Sequence, residues 1–138
     1  MNATDALRTQ NTVILVAEDD PIVRNLVRSM LSNEGYAVMA ANDGQEALEI
    51  CREHHEPIHL LLTDMRMPRM DGLTLAENVR QLRPDIKVVV MSGEMSSVIR
   101  EKNAFHAFLR QPFVPPTLLE CVQRVLSSSF SGTCDNLS

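Results

Sequence analysis

Short apolar runs alternate with amphipathic stretches along the chain. Thr12 to Ala17 (TVILVA) is a continuous apolar run of strand length, closed by Glu18-Asp19-Asp20. Pro21 suits the first turn of a helix, where its missing N–H would have no partner anyway. Ile22, Val23, Leu26, Val27, Met30 and Leu31 then recur at helical spacing and predict one apolar face, ended by Glu34-Gly35. Tyr36 to Ala40 reads as a second strand. Asp43 and Glu46 have the spacing of a capping box for a helix carrying Ala47, Leu48, Ile50 and Cys51.

Ile58 to Thr63 (IHLLLT) is a third strand, ending at Asp64. Asp71 caps a helix bearing Leu73, Leu75, Ala76, Val79 and Leu82, which Pro84 stops. Ile86 to Met91 (IKVVVM) is a fourth strand, followed by Ser92-Gly93 and a weakly patterned helix over 95–102. Phe105 to Arg110 is the fifth strand. Pro115-Pro116 opens a last helix with Leu118, Leu119, Val122, Val125 and Leu126, and a Ser-rich tail follows. Strand-then-helix units of this kind specify an α/β fold with a parallel sheet, and unbroken apolar strands mean burial on both faces.

Length and composition narrow the class. A chain of 138 residues holds one core, and 44% hydrophobic with 22% charged residues is ordinary for a globular domain. The net charge of −5 argues against direct DNA binding or attraction to anionic membrane. No apolar run approaches the roughly 20 residues of a membrane span. Residues 1–11 lack the order of a signal peptide, so a cytoplasmic location is expected. These residues read as a flexible N-terminal segment, 12–127 as the domain and 128–138 as a flexible tail. Cys51 and Cys121 sit in helical apolar patterns and read as small buried hydrophobes, and Cys134 lies in the tail. His54 and His55 fall at a helix end, where they suit exposed carbonyls better than a metal.

The chemistry collects where the strands end. In a parallel sheet, Glu18-Asp19-Asp20, Asp64, Ser92-Gly93 and Gln111-Pro112 share one edge. Converging carboxylates repel one another unless a cation lies between them, and oxygen ligands select Mg²⁺ or Mn²⁺. A carboxylate so placed can also act as a nucleophile toward phosphorus. Ser92 would donate a hydrogen bond to the phosphate, and Gly93 leaves room for the incoming group. Asp20, just before Pro21, reads mainly as a helix cap, whereas no helical pattern starts directly after Asp64.

The segments ILVAEDDP (14–21), LLLTDMRMPRMDG (60–72), VVVMSG (88–93) and RQPF (110–113) resemble, in order and separation, the signature blocks of response-regulator receiver domains. The resemblance covers about residues 12–127. It implies a flavodoxin-like doubly wound sheet with strand order 2-1-3-4-5. Glu18 and Asp19 match the acidic pair that binds Mg²⁺, Asp64 the phosphoacceptor and metal ligand, and Arg66 the residue whose backbone carbonyl completes the metal shell. Ser92 matches the hydroxyl that turns toward phosphate, and Phe108 the aromatic that rearranges with it. Gln111 departs from the pattern, because the family has a lysine there. The resemblance also implies a cis Gln111–Pro112 peptide. Arg66 and Glu94, each two residues past a strand end, are expected to meet across the site mouth.

Function follows as an expectation. A histidine kinase or histidine phosphotransfer protein would donate to Asp64, and the output would be a protein target or self-association. The implied output face joins predicted helix 95–102, the fifth strand and the last helix. The domain would act alone, weakly favoured by Met1 and the tail, or as the receiver of a longer chain such as a hybrid kinase. Two other readings stand beside it. Gln111 is compatible with an interaction module whose switching is impaired. A phosphohydrolase also uses an Asp nucleophile, but usually with a second Asp two residues on, where this chain has Arg66.

Overall fold

A computed structural model describes residues 11–93, 105–127 and 132–135. Predicted helix 95–102, Glu94 and most of both terminal segments lie outside these residues. The described strands are β1 (Val13–Ala17), β2 (Ala37–Ala41), β3 (Leu60–Asp64), β4 (Lys87–Ser92), β5 (Ala107–Arg110) and β6 (Gly132–Cys134). The helices are α1 (Pro21–Asn33), α2 (Gly44–Glu53), α3 (Gly72–Leu82) and α4 (Pro115–Ser127), the last one. All pairings are parallel, in the order β2-β1-β3-β4-β5-β6. The expected 2-1-3-4-5 order is present, extended by a strand from the tail.

Alternate residues of each strand point to opposite faces, and the core divides accordingly. Leu15, Leu61, Val88, Val90 and Phe108 pack under α2 and α3, against Leu48, Cys51, Leu75 and Val79. Ile14, Val16, Leu62, Val89, Met91 and Leu109 pack under α1 and α4, against Val27, Leu31, Leu118, Cys121 and Val122. Both faces are covered, which is why the strands carry no polar alternation.

Local chemistry sets the helix ends. Asp20, Asp43 and Asp71 are N-caps, accepting from the backbone N–H of Ile22, Glu46 and Thr74 respectively. The capping box at Asp43 is half of the predicted one, because Glu46 turns its carboxylate to the backbone and side chain of Asn42 instead. Helix α1 ends in a Schellman turn: Tyr36 N–H reaches Leu31 O, Gly35 N–H reaches Ser32 O, and Gly35 takes φ 100°. Arg83 closes the far end of α2 by donating to the carbonyls of Cys51, His54 and Glu56. The apolar face predicted for α1 is wider than the buried one. Val27 and Leu31 are fully covered, while Ile22 is 78% and Leu26 54% exposed. Those two lie on a neighbouring row of the helix, rotated off the sheet.

Candidate functional site: an acidic cluster at the carboxyl edge of the sheet

Parallel register brings the predicted groups to one edge. Glu18 and Asp19 follow directly on β1, Asp64 ends β3, and Ser92 ends β4. Glu18 N–H bonds to Ala41 O at 3.2 Å, so the ladder runs one residue past β1 and fixes where its side chain begins. Arg24, one turn into α1, donates to the Glu18 carbonyl at 2.9 Å. That clamp was legible only in the helix start at Pro21.

Carboxylate oxygens of Glu18, Asp19 and Asp64 all lie within 4.8 Å of one another. Among the described residues they are the only three metal-ligating side chains so grouped. The histidines stay outside it. His54 caps the end of α2, while the Nδ1 atoms of His59 and His106 accept from the backbone N–H of Val13 and Val88 at 3.0 Å each. Asp19 is exposed and Asp64 half-buried, but Glu18 is only 2% exposed. Its Oε1 accepts from Asp20 N–H at 3.1 Å, and its Oε2 is buried with no hydrogen-bond partner. Burial, then the contact with Asp64, pushes the Glu18 carboxyl up to about 8. Burial likewise raises Asp64, opposed by Glu18 and by the backbone N–H groups of Arg66 and Met65. Burial and crowding therefore both work against holding all three carboxyls ionised.

The segment after Asp64 is tied back on itself. Gly72 N–H bonds to Met65 O at 2.8 Å, and Met65 N–H reaches across to Met91 O at 2.9 Å. A Cβ on Gly72 would lie 2.3 Å from the Asp64 carbonyl oxygen, so only glycine lets α3 start this close to the site. Thr63 Oγ1 donates to the same carbonyl at 2.9 Å. Farther along, Arg69 takes φ 71° and pairs with Asp43 at 3.4 Å.

Ser92 is buried one residue past Met91, which is level with Asp64 on the neighbouring strand. Gln111 N–H donates to Ser92 O at 2.9 Å, and the Gln111–Pro112 peptide is cis, as expected. Among the described residues, a side chain at Gly93 would meet nothing nearer than Gln111 O at 4.0 Å. Phe108 is buried in the core with Val88 and Val90. Arg66 is exposed, and its expected partner Glu94 lies outside the described residues.

The family described as the response regulator receiver domain matches residues 14–123. The chain belongs to the response-regulator receiver family. This receiver domain is similar to sensor kinase CckA of Brucella abortus, 36% identical over 127 residues that make up 90% of this chain and 13% of that protein. It is similar also to transcriptional regulatory protein AruR of Pseudomonas aeruginosa, 34% identical over 90 residues, 63% of this chain and 36% of that protein. The receiver domain thus spans only a minor part of the length of these relatives. Among solved structures, chemotaxis protein CheY4 of Vibrio cholerae superposes with a TM-score of 0.78 at 29% identity, covering 83% of this chain and 98% of that one. The receiver domain of hybrid histidine kinase CckA gives 0.73 at 35% identity, covering 83% and 99%. The family is one of two-component signalling. No helix among the described residues is long and apolar enough to cross a membrane.

Proposed function

We propose that this receiver domain accepts a phosphoryl group on Asp64 from a phosphohistidine of a histidine kinase or histidine phosphotransfer protein, with Mg²⁺ or Mn²⁺ as cofactor. One observation carries the reading: Glu18 Oε2 is buried and unpartnered next to two more carboxylates. A buried acceptor in that setting is costly unless a proton or a cation meets it. The donors are all oxygen, which fits a hard divalent ion. Glu18, Asp19, Asp64 and the backbone carbonyl of Arg66 would hold it, and when bound it would neutralise charge on the phosphoryl oxygens.

The chain's own groups do the rest. An Asp64 oxygen attacks phosphorus while the donor's phosphorus–nitrogen bond breaks, its electron pair staying on the imidazole. An acyl phosphate results, and slow attack by water returns the carboxylate and inorganic phosphate. The Ser92 hydroxyl donates to a phosphoryl oxygen, and Gly93 leaves space for the group. The Gln111 amide adds a neutral hydrogen bond where the family has an ammonium. Exposed Ile22 and Leu26, on the helix that starts beside Asp19, suit a protein donor that docks over the site.

Residues 12–127 are the signalling unit, acting in the cytoplasm without touching DNA or membrane. Arg66 and Glu94 modulate access at the site mouth. The signal leaves through segment 95–102, β5 and α4, by way of Phe108, to a protein target or a second copy. A second reading rests on Gln111 itself: a receiver-like interaction module in which phosphorylation no longer switches the output.

Intact-mass measurement with acetyl phosphate tests the first reading. One phosphoryl adduct is expected with Mg²⁺, none with chelator and none in Asp64→Asn. An adduct that survives in Asp64→Asn overturns the assignment.

A further inference from the structure

The tail adds a strand where the sequence showed none. Gly132, Thr133 and Cys134 align with Ala107, Phe108 and Leu109, so β6 takes the outer edge of β5. That placement brings Cys134 under α4. Cys134 is 4% and Cys121 1% exposed, and both belong to the core cluster of Leu109, Leu118, Val122 and Val125. Both side chains line the same cavity. A shallow open pocket lined by Thr117, Glu120, Arg124 and Asp135 leads to the pair. Two buried small side chains would satisfy packing alone. Two cysteines facing one cavity, one on a core helix and one on a short edge strand, with a polar way in, do more.

We propose that Cys121 and Cys134 are a redox pair that closes to a disulfide by exchange with a low-molecular-weight disulfide, fixing β6 across the edge of β5. The steps balance. The Cys134 thiolate attacks one sulfur of oxidised glutathione, forming a mixed disulfide and releasing one glutathione thiolate. The Cys121 thiolate then attacks the Cys134 sulfur and expels the second. The two thiol protons pass to the departing glutathiones, which are reduced as the cysteines are oxidised. Cys134 is held below the usual thiol range by its interaction with Cys121 and by Arg124, while that interaction and burial push Cys121 up, which makes Cys134 the attacking thiol. A three-residue edge strand opens readily, which supplies access to the buried sulfurs.

The reaction does not involve Asp64 and stands apart from phosphorylation. The full chain is treated with oxidised glutathione, alkylated under denaturing conditions and digested with trypsin. Cleavage after Arg110 and Arg124 places the two cysteines on separate peptides. The expected product has lost two hydrogens, links peptide 111–124 to peptide 125–138, and leaves Cys51 alkylated. Amide exchange across β5 and β6 should slow by roughly tenfold or more on oxidation, because the link closes the loop that lets β6 leave. Cys51→Ser should behave as the wild type, and Cys121→Ser should stop at the mixed disulfide on Cys134. Unmodified thiols, glutathione retained on the wild type, or a link through Cys51 would each overturn the proposal.

Discussion

Gln111 carries the least conventional chemistry in the site. Its backbone is held to Ser92 O at 2.9 Å, so its place beside β4 is secure whatever its side chain does. What changes against the family pattern is charge. A hydrogen bond to an ionised group contributes about 1.5–3 kcal/mol against about 0.5–1.5 for a neutral one. On the proposed reading, the amide would give up about 1 kcal/mol of its hold on a phosphorylated Asp64, a several-fold loss in a two-state equilibrium. Phosphoryl transfer itself should survive, since it depends chiefly on positioning and charge neutralisation. Gln111→Lys is expected to enlarge the shift of the Ser92 and Phe108 NMR signals caused by beryllofluoride. An identical response in both proteins would show the substitution to be neutral. Strand-end position conveys some of the site well, for Glu18, Asp19 and Asp64 converge at the carboxyl edge of the sheet. The depth of Glu18 was not legible, because a carboxylate closing an apolar run looks the same whether it faces solvent or turns inward.

At the scale of elements, His106 joins β4 to the start of β5. Its backbone N–H bonds to Val88 O at 2.7 Å, and its Nδ1 accepts from Val88 N–H at 3.0 Å. A protonated Nδ1 would donate and break that second bond. Burial, then the charges of Arg80 and Lys87, hold His106 below its usual value of 6.5. As pH falls below about 6.5 the unfolded chain therefore takes the proton first. The contribution of His106 is full above that point and is lost as pH falls through the lower folded value. Urea denaturation between about pH 5 and pH 7.5 should give a steeper acid-side loss in the wild type than in His106→Gln. Parallel slopes would remove His106 from the account. Elements with strong periodicity were legible to within a residue or two, since unbroken apolar strands and Asp-capped helices leave few alternatives. Two features escaped. Periodicity could not separate Ile22 and Leu26 from the buried row, because both rows repeat at helical spacing. Gly132–Cys134 has no strand pattern of its own and is ordered by the free edge of β5.

For the whole molecule, the sheet gathers three carboxyl groups at one edge. Glu18 and Asp19 follow β1 whereas Asp64 ends β3, so the three meet only in the folded state. A divalent ion that binds there favours folding by mass action, by about 2.7 kcal/mol at a hundredfold excess over its Kd. Thermal unfolding should therefore shift upward with Mg²⁺ and return with chelator. Asp64→Asn should be more stable than the wild type without metal and respond less to its addition. A midpoint indifferent to Mg²⁺ in both proteins would count against the ion site.

The contact between Gly72 and the Asp64 carbonyl has a wider consequence. Because Gly72 also bonds to Met65, the chain leaves and rejoins the sheet at nearly one point, like a cord drawn through a ring. Arg66 reaches back to Asp64 through its backbone N–H, and residues 67–71 hang beyond it. Change in this segment can therefore alter which proteins approach the carboxylate while its position stays fixed, so partner preference and chemistry are free to evolve separately.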